Sequence, residues 1–140
     1  MYVVDASVAV KWLIPEERRA EARSFLLGGD VLLAPGLIVT EVATGLSRKA
    51  RVGQISKAAV HRALREWVSL IANGTLELTE PGELLEEAFN VSLALNHPFP
   101  DCLYIALAKR TRAPLVTADH QLARKAAGLP GLEVRLLGAA

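Results

Sequence analysis

The sequence predicts an α/β domain with a mainly parallel sheet of four or five short strands and helices on both faces. Short apolar runs alternate with longer segments of helical spacing, which is the pattern of such folds. The run Val31–Ala34 is apolar throughout, as strands covered on both faces are. With 51% hydrophobic and 22% charged residues among 140, the chain is not disordered. We expect a single domain over residues 1–140.

The opening residues, Met1 to Asp5, predict a buried strand that ends on a carboxylate. The elements that follow are read from apolar spacing, prolines and glycines. They are a helical turn over 8–13, a helix from 16–17 to a left-handed cap at 28–29, a strand over 31–34, a helix opened by Pro35 and running over 36–51, and a helix over 57–72. The last two helices should form an antiparallel hairpin.

In the second half, residues 75–79 alternate in polarity and predict an edge strand. Pro81 opens a further helix that ends near residues 96–97. Pro98 and Pro100 then lead into an apolar helix that carries Asp101 in its first turn. Strands are expected over 114–117 and 132–136, with Asp119 just beyond the first of them. That repeats the opening pattern of an apolar strand, a carboxylate and a helix.

Four acids stand in apolar surroundings: Asp5, Glu41, Asp101 and Asp119. Each aspartate alone could simply cap a helix or complement its N-terminal dipole. Together they suggest more, because the carboxyl ends of parallel strands and the N-termini of the connecting helices meet at one edge of the sheet. Carboxylates gathered there need a raised pKa or a cation. Oxygen ligands select Mg²⁺, with Mn²⁺ as a substitute.

Other reactive side chains predict structural roles. Cys102 follows Asp101 on an apolar run and is expected to be a small core residue rather than a nucleophile. The three histidines, His61, His97 and His120, are expected to be surface or capping residues rather than metal ligands. A single cysteine excludes an internal disulfide and fits a reducing cytoplasm, and no segment is typical of a targeting signal or a membrane span.

Four segments in this order resemble the PIN-domain nucleases, above all the stand-alone ribonuclease toxins of the VapBC type. The segments are Val-Val-Asp5-Ala-Ser7, the helix around Glu41, Asp101-Cys-Leu-Tyr-Ile-Ala-Leu-Ala and Leu-Val-Thr117-Ala-Asp119. The likeness covers essentially the whole chain and implies a PIN-like three-layer sandwich. One departure is Pro100, where relatives often have a tyrosine.

The resemblance implies which residues act. Asp5, Glu41, Asp101 and Asp119 would form the catalytic, metal-binding cluster, with Ser7 and Thr117 supporting it by hydrogen bonds. The implied activity is Mg²⁺-dependent endonucleolytic cleavage of RNA by a metal-activated water. The implied assembly is a homodimer with a cognate antitoxin, and the mean hydropathy of +0.28 fits such apolar interfaces.

The net charge of +1 gives no global argument for nucleic acid or membrane binding. Two basic groups are candidate RNA contacts: Arg48, Lys49 and Arg51, and Lys109, Arg110 and Arg112. The alternative is that these cations complement helix C-termini.

Two other functions stay open from the residues alone. One is a phosphatase or phosphoacceptor domain with Asp5 as nucleophile, and the other is a non-catalytic binding module whose acids are structural caps.

Overall fold

The computed structural model describes residues 1–139, and within them the chain forms five strands and seven α-helices. A 3₁₀ turn, Pro81–Leu84, leads into α5. The elements are β1 (Tyr2–Val4), α1 (Ala6–Leu13), α2 (Arg19–Leu27), β2 (Leu32–Pro35), α3 (Ile38–Arg51), α4 (Lys57–Ala72), β3 (Leu76–Thr79), α5 (Leu85–Leu95), α6 (Phe99–Thr111), β4 (Leu115–Thr117), α7 (His120–Ala126) and β5 (Val134–Leu136).

The five strands form one sheet in the order β3-β2-β1-β4-β5, and every neighbouring pair is parallel. Val3 in the central strand lies opposite Leu33 on one side and Leu115 on the other. The chain builds the sheet outward from β1 through β2 to β3, then crosses over to β4 and β5. The order therefore reverses between β1 and β4. In open parallel sheets a ligand crevice lies beyond the strand ends at such a reversal.

Helices cover both faces of the sheet, as the right-handed crossover rule for parallel strands requires. Helices α1 to α4 connect β1 to β2 and β2 to β3, α5 and α6 connect β3 to β4 across the reversal, and α7 connects β4 to β5. Helix α6 packs against β1, β2 and β4 and is buried along its whole middle, from Cys102 to Ala108. The predicted α/β class and the three layers are confirmed, with five strands rather than four.

Two helix starts differ from the prediction. Pro35 was expected to open a helix but is the last residue of β2, because Pro35 still pairs with Thr79 and the Gly36 amide donates to the Thr79 carbonyl. That ladder delays α3 to Ile38. The prediction of a helix from residues 16–17 is also wrong: Arg18 adopts a left-handed conformation with φ 66°, so α2 begins at Arg19.

The remaining assignments agree with the structure. β3 is an edge strand, Gly29 ends α2 in a left-handed conformation, and α3 packs against α4. Within residues 1–139 there is also no helix with the length and hydrophobicity that a bilayer crossing requires.

Candidate active site

Asp5 lies at the carboxyl end of the central strand, where the strand order reverses. Its backbone N–H donates to the Val116 carbonyl at 3.2 Å, which continues the pairing of β1 with β4 by one residue. The side chain is only 5% exposed. It caps helix α1, accepting from the Val8 N–H at 3.3 Å. The capping role predicted for a lone acid is thus real, and it holds the carboxylate in the crevice.

Two hydroxyl groups bind the Asp5 carboxylate from different parts of the chain. Ser7 Oγ donates to Oδ1 at 2.5 Å, and Thr117 Oγ1 donates to Oδ2 at 2.5 Å. The two hydroxyls are themselves fixed, because each accepts a backbone N–H: Ser7 from Ala118 at 2.9 Å and Thr117 from Asp119 at 3.0 Å. This network, the Asp5 network, joins β1 to β4 through the contacts of Ser7 and Thr117 with Asp5.

Asp119 reaches the same edge through its backbone. Its N–H donates to Thr117, while its side-chain Oδ1 caps α7 by accepting from the N–H groups of Gln121 at 2.9 Å and Leu122 at 3.1 Å. Oδ2 has no hydrogen-bond partner among the described residues. Asp119 therefore caps a helix and also offers one carboxylate oxygen beside the Asp5 network.

Glu41 projects from the first turns of α3 and is half-buried. Its Oε1 accepts from the Tyr104 hydroxyl at 2.6 Å, a contact between α3 and the buried helix α6. The start of α3 is held from the other side by Trp67 in α4, whose indole N–H donates to the Val39 carbonyl at 3.1 Å. The glutamate side chain is thus fixed at the same edge as Asp5 by residues distant in sequence.

Asp101 lies in the first turn of α6, with its side chain 32% exposed. Its Oδ2 is 2.7 Å from Nε2 of His97, and its Oδ1 has no partner among residues 1–139. Because α6 runs antiparallel to the strand that follows it, its first turn lies at the carboxyl edge of the sheet, as Asp5 does.

Electrostatics show that three of the acids share one environment. Burial raises the pKa of Asp5 to about 6, against the hydrogen bonds from Ser7, Thr117 and Val8, which lower it. Burial also raises the pKa of Glu41, opposed by the bond from Tyr104. The charge of Asp101 adds to both shifts. Asp101 is therefore close enough to Asp5 and to Glu41 to repel each of them.

Tyr104 keeps its proton at this site. Burial and the neighbouring charges of Glu41, Asp5 and Asp101 all raise the pKa of its phenol, so the group acts only as a donor. Burial likewise raises the pKa of the Cys102 thiol. The side chain is fully buried, which confirms that Cys102 is a core residue.

The donor set fits a hard divalent cation, with one restriction. Among the described residues, no three His, Cys, Asp or Glu side chains are close enough to hold an ion between them. Mg²⁺, however, is typically bound through only one or two carboxylates and keeps several of its waters. The free oxygens here all belong to carboxylates, and their repulsion is relieved by positive charge. The side-chain positions therefore fit an ion held by few direct ligands rather than by all four acids.

Sequence reasoning missed two residues, Tyr104 and His97. Tyr104 is the one aromatic residue with a polar group in the apolar middle of α6, and a buried phenol needs a partner, so that signal was present. His97 was expected at the surface or as a cap, but its side chain is 2% exposed and contacts Asp101. The expectation is wrong because the loop after α5 turns back against the first turn of α6.

The six predicted basic RNA contacts lie at the far ends of their helices. Arg48 to Arg51 follow Glu41 by seven to ten residues, about 10–15 Å along α3. The group from Lys109 to Arg112 follows Asp101 by eight to eleven, about 12–17 Å along α6. Lys49, Lys109 and Arg110 form ion pairs with Glu16, Glu87 and Glu83. The structure therefore does not bring these cations close to Asp5, Glu41, Asp101 or Asp119.

A small cavity with basic side chains adjoins the Asp5 network at the end of β4. It has a volume of about 180 Å³, and its lining includes Ala118, the basic residues Lys11, Arg18 and His120, and one acid, Glu17. Lys11 is partly neutralised there by Glu16, at 3.3 Å. His120 is exposed at the first turn of α7, and no hydrogen bond joins it to the acids within the described part of the chain.

A family model described as "PIN domain" matches residues 2–128. The chain belongs to the PIN-domain family. Ribonuclease VapC3 of Pyrobaculum aerophilum is 33% identical to this PIN domain over 124 residues, which cover 88% of this chain and 92% of that protein. These matches confirm the family resemblance seen in the sequence.

Two solved structures share the fold of this PIN domain. VapC20 of Mycobacterium tuberculosis, titled a sarcin-ricin loop cleaving toxin, superposes with a TM-score of 0.72 at 16% identity, covering 94% of this chain and 98% of that one. VapBC2 of Rickettsia felis, bound to a DNA fragment from its promoter, gives a TM-score of 0.58 at 18% identity, covering 96% and 97%. At these identities the likeness shows the three-layer fold.

The burial of Asp5 predicts that the free energy of unfolding of the metal-free protein depends on pH. A pKa raised from 3.8 to about 6 corresponds to about 3 kcal/mol. The folded state binds more protons than the unfolded state between these values, so the free energy of unfolding falls as pH rises from about 4 to about 6. Asp5→Asn removes that loss. Relative to wild type, the variant should gain up to about 3 kcal/mol between pH 4 and pH 7, measured by urea unfolding in EDTA.

Asp30→Asn is the matched control, because Asp30 is an exposed acid in a turn. It should not show the gain in the free energy of unfolding between pH 4 and pH 7 that Asp5→Asn shows. A difference between Asp5→Asn and wild type that does not change with pH would contradict the assigned cost of burying Asp5.

Proposed function

We propose that this PIN domain is a Mg²⁺-dependent endoribonuclease, with Mn²⁺ able to substitute, and that it is the toxin of a toxin–antitoxin pair. The observation that carries the proposal is the buried Asp5 carboxylate, fixed by Ser7 and Thr117 at the reversal of the strand order and repelled by Asp101. The relative named Ribonuclease VapC3, 33% identical over most of both chains, supports RNA as the substrate.

Within this proposal the four acids have different roles. Asp5 and Asp101 would hold the ion directly, since each keeps an acceptor position that no donor among residues 1–139 fills. Glu41 and Asp119 would act through water, orienting it and accepting its proton. A divalent ion in such a site supplies a nucleophilic water near neutral pH and neutralises charge on phosphate oxygens. Ser7, Thr117 and Tyr104 keep the carboxylates in place as charge changes.

The phosphatase alternative has less support, because a nucleophilic Asp5 would have to leave its hydrogen bonds. Both of its oxygens accept bonds from protein donors, and the side chain is buried. The alternative of structural caps is right about the geometry of Asp5 and Asp119. It does not explain Glu41 and Asp101, whose side chains cap no helix but contact Tyr104 and His97.

We expect Asp5→Asn and Asp101→Asn each to lower RNA cleavage by about 100-fold or more, because each removes a charge that holds the ion. The measurement is cleavage of total cellular RNA by purified protein with added Mg²⁺, followed on gels, with folding checked by circular dichroism.

Asp30→Asn serves as the control acid and should cut at the wild-type rate. EDTA should stop cleavage by wild type, and Mg²⁺ or Mn²⁺ should restore it. Full activity in either site variant, or undiminished cutting in EDTA, would overturn the assignment.

RNA must bring its phosphates to an acidic site, so cations near that site matter most. We propose that the cavity lined by Arg18 and His120 takes one backbone phosphate, because it adjoins the Asp5 network at Ala118. The six residues predicted from sequence stay candidate contacts for more distant parts of the strand: Arg48, Lys49, Arg51, Lys109, Arg110 and Arg112.

Arg18→Gln should weaken binding of a single-stranded RNA oligonucleotide and reduce the slope of log affinity against log salt by about 0.7, the loss of one phosphate contact. Fluorescence anisotropy in the Asp101→Asn background measures binding without cleavage. Arg112→Gln, at the far end of α6, tests the sequence-based set in the same way. A variant with the parent slope and affinity makes no phosphate contact.

Two apolar surfaces are available for protein partners. The first is the α5 stripe, formed by Leu85, Phe89 and Leu93, which are 57%, 56% and 69% exposed. The second is the α3–α4 groove, a cavity of about 540 Å³ lined by Leu46, Val60 and Leu64 among others. We propose that the α5 stripe pairs two copies of the chain, since a helix face can meet itself across a two-fold axis.

The α3–α4 groove suits an amphipathic segment of the antitoxin, because such segments commonly bind in apolar grooves with their apolar face inward. Helix α3 also carries Glu41, so a segment in the groove would continue toward the acids. The VapBC2 structure of Rickettsia felis supports an antitoxin as partner. We place this pair in the cytoplasm, where RNA is available and where the one thiol stays reduced.

Phe89→Lys should convert the dimer to a monomer, and Leu64→Asp should leave it intact, as measured by light scattering during gel filtration. Leu64→Asp should instead weaken binding to the product of a small neighbouring reading frame. The two variants control for each other, because each adds one charge to an exposed apolar position. A dimeric Phe89→Lys protein would contradict the assignment of the α5 stripe.

A further inference from the structure

His97 is a buried polar side chain that no predicted role explains. It lies in the loop between α5 and α6, and its Nε2 is 2.7 Å from Oδ2 of Asp101. The imidazole is 2% exposed, whereas the carboxylate it contacts is 32% exposed. A buried histidine thus meets the solvent-facing acid at the carboxyl edge of the sheet.

The Asp101 carboxylate determines which ring nitrogen of His97 carries a hydrogen. An ionised carboxylate can only accept a hydrogen bond, so Nε2 of His97 must donate. In the neutral ring, Nδ1 is then an acceptor, and it is buried without a hydrogen-bond partner within the described residues. An unpaired buried polar atom lowers stability. A leucine of similar size would avoid that loss, so core packing alone does not account for a histidine here.

The backbone around His97 is fixed on both sides. Its N–H donates to the Ser92 carbonyl at 3.2 Å, and its carbonyl accepts the Ser92 hydroxyl at 2.7 Å. Asn96 before it takes a left-handed conformation with φ 50°, and its carbonyl accepts from Lys125 at 2.8 Å. The backbone that carries the imidazole is therefore held in place. Because the ring itself is 2% exposed, it has little room to follow the carboxylate if that side chain rotates.

We propose that His97 is a positioning residue that fixes the side chain of Asp101 through Oδ2 and leaves Oδ1 directed to a divalent cation. The inference rests on the proposed function, since it assigns Asp101 as a direct ligand. Ligands whose second oxygen is hydrogen-bonded keep their orientation, and loss of such a bond commonly lowers metal affinity 10- to 100-fold. Without His97, the Asp101 side chain, which is 32% exposed, can rotate toward the N–H groups of the first turn of α6.

The test compares three replacements of His97. Gln places an amide N–H₂ where Nε2 stands and should reach Asp101, Asn is too short to reach it, and Leu offers no donor. We expect His97→Gln to bind Mn²⁺ within a few-fold of wild type. His97→Asn and His97→Leu should bind it about 10- to 100-fold more weakly by calorimetry and show a matching fall in kcat. His61→Leu replaces an exposed histidine on α4 and is the matched control, which should leave Mn²⁺ affinity and kcat unchanged.

A second comparison separates positioning from a structural role. In the Asp101→Asn background, His97→Asn should add no further loss of Mn²⁺ affinity, because its effect passes through Asp101. If His97→Leu does not fold, the pair of Gln and Asn, both polar, still tests the proposal. Folded Asn and Leu variants with wild-type Mn²⁺ affinity, or equal losses with and without Asp101, would overturn it.

Failure of the proposed function gives a different result. Wild-type protein that neither binds Mn²⁺ nor cuts RNA refutes the nuclease and, with it, any ion for Asp101 to hold. Wild-type protein that does both, beside unchanged His97 variants, refutes only the positioning role.

Discussion

The arrangement of the site depends on one buried carboxylate, that of Asp5. Asp5 is buried at the end of the central strand, and the cost of its charge is offset in part by Ser7, Thr117 and the Val8 N–H. Those donors come from both ends of the chain, so β1, α1 and β4 must assemble before the carboxylate is satisfied. The same contacts that make Asp5 tolerable also prevent it from moving away from the crevice.

The parallel topology of the sheet also determines where the other acids lie. Glu41 follows β2 and Asp101 precedes β4, and both lie in first turns of helices that run back across the sheet. Such turns meet at the carboxyl edge whatever the sequence between them. Each side chain then has its own support from a distant element: Tyr104 for Glu41 and His97 for Asp101. The fold thus decides where the acids meet, and local contacts decide how each one points.

The sequence was sufficient for the fold class and for the place of Asp5 and Asp119 just beyond their strands, because these follow from short-range patterns. The catalytic roles of the acids stay predictions. Asp5 and Asp119 each come directly after an apolar strand, and that pattern is visible without coordinates. Tertiary contacts explain the failures. Pairing with Thr79 extends β2 through Pro35. The loop after α5 buries His97, although the residues next to it in sequence suggest an exposed position. The single domain over 1–140 and the basic RNA contacts stay predictions.

The repulsion between Asp5 and Asp101 is relieved by a cation or by protonation of one of the acids, and the protein alone does not relieve it. Burial raises the pKa of Asp5 to about 6, which still leaves its charge largely present at neutral pH beside Asp101. The carboxylates instead accept hydrogen bonds from the uncharged donors Ser7, Thr117 and Tyr104, and within residues 1–139 no lysine or arginine pairs with Asp5, Glu41 or Asp101. A permanent cationic side chain would relieve the repulsion and would also occupy the space. Neutral donors hold the carboxylates in position and keep their charge available for an ion and its water.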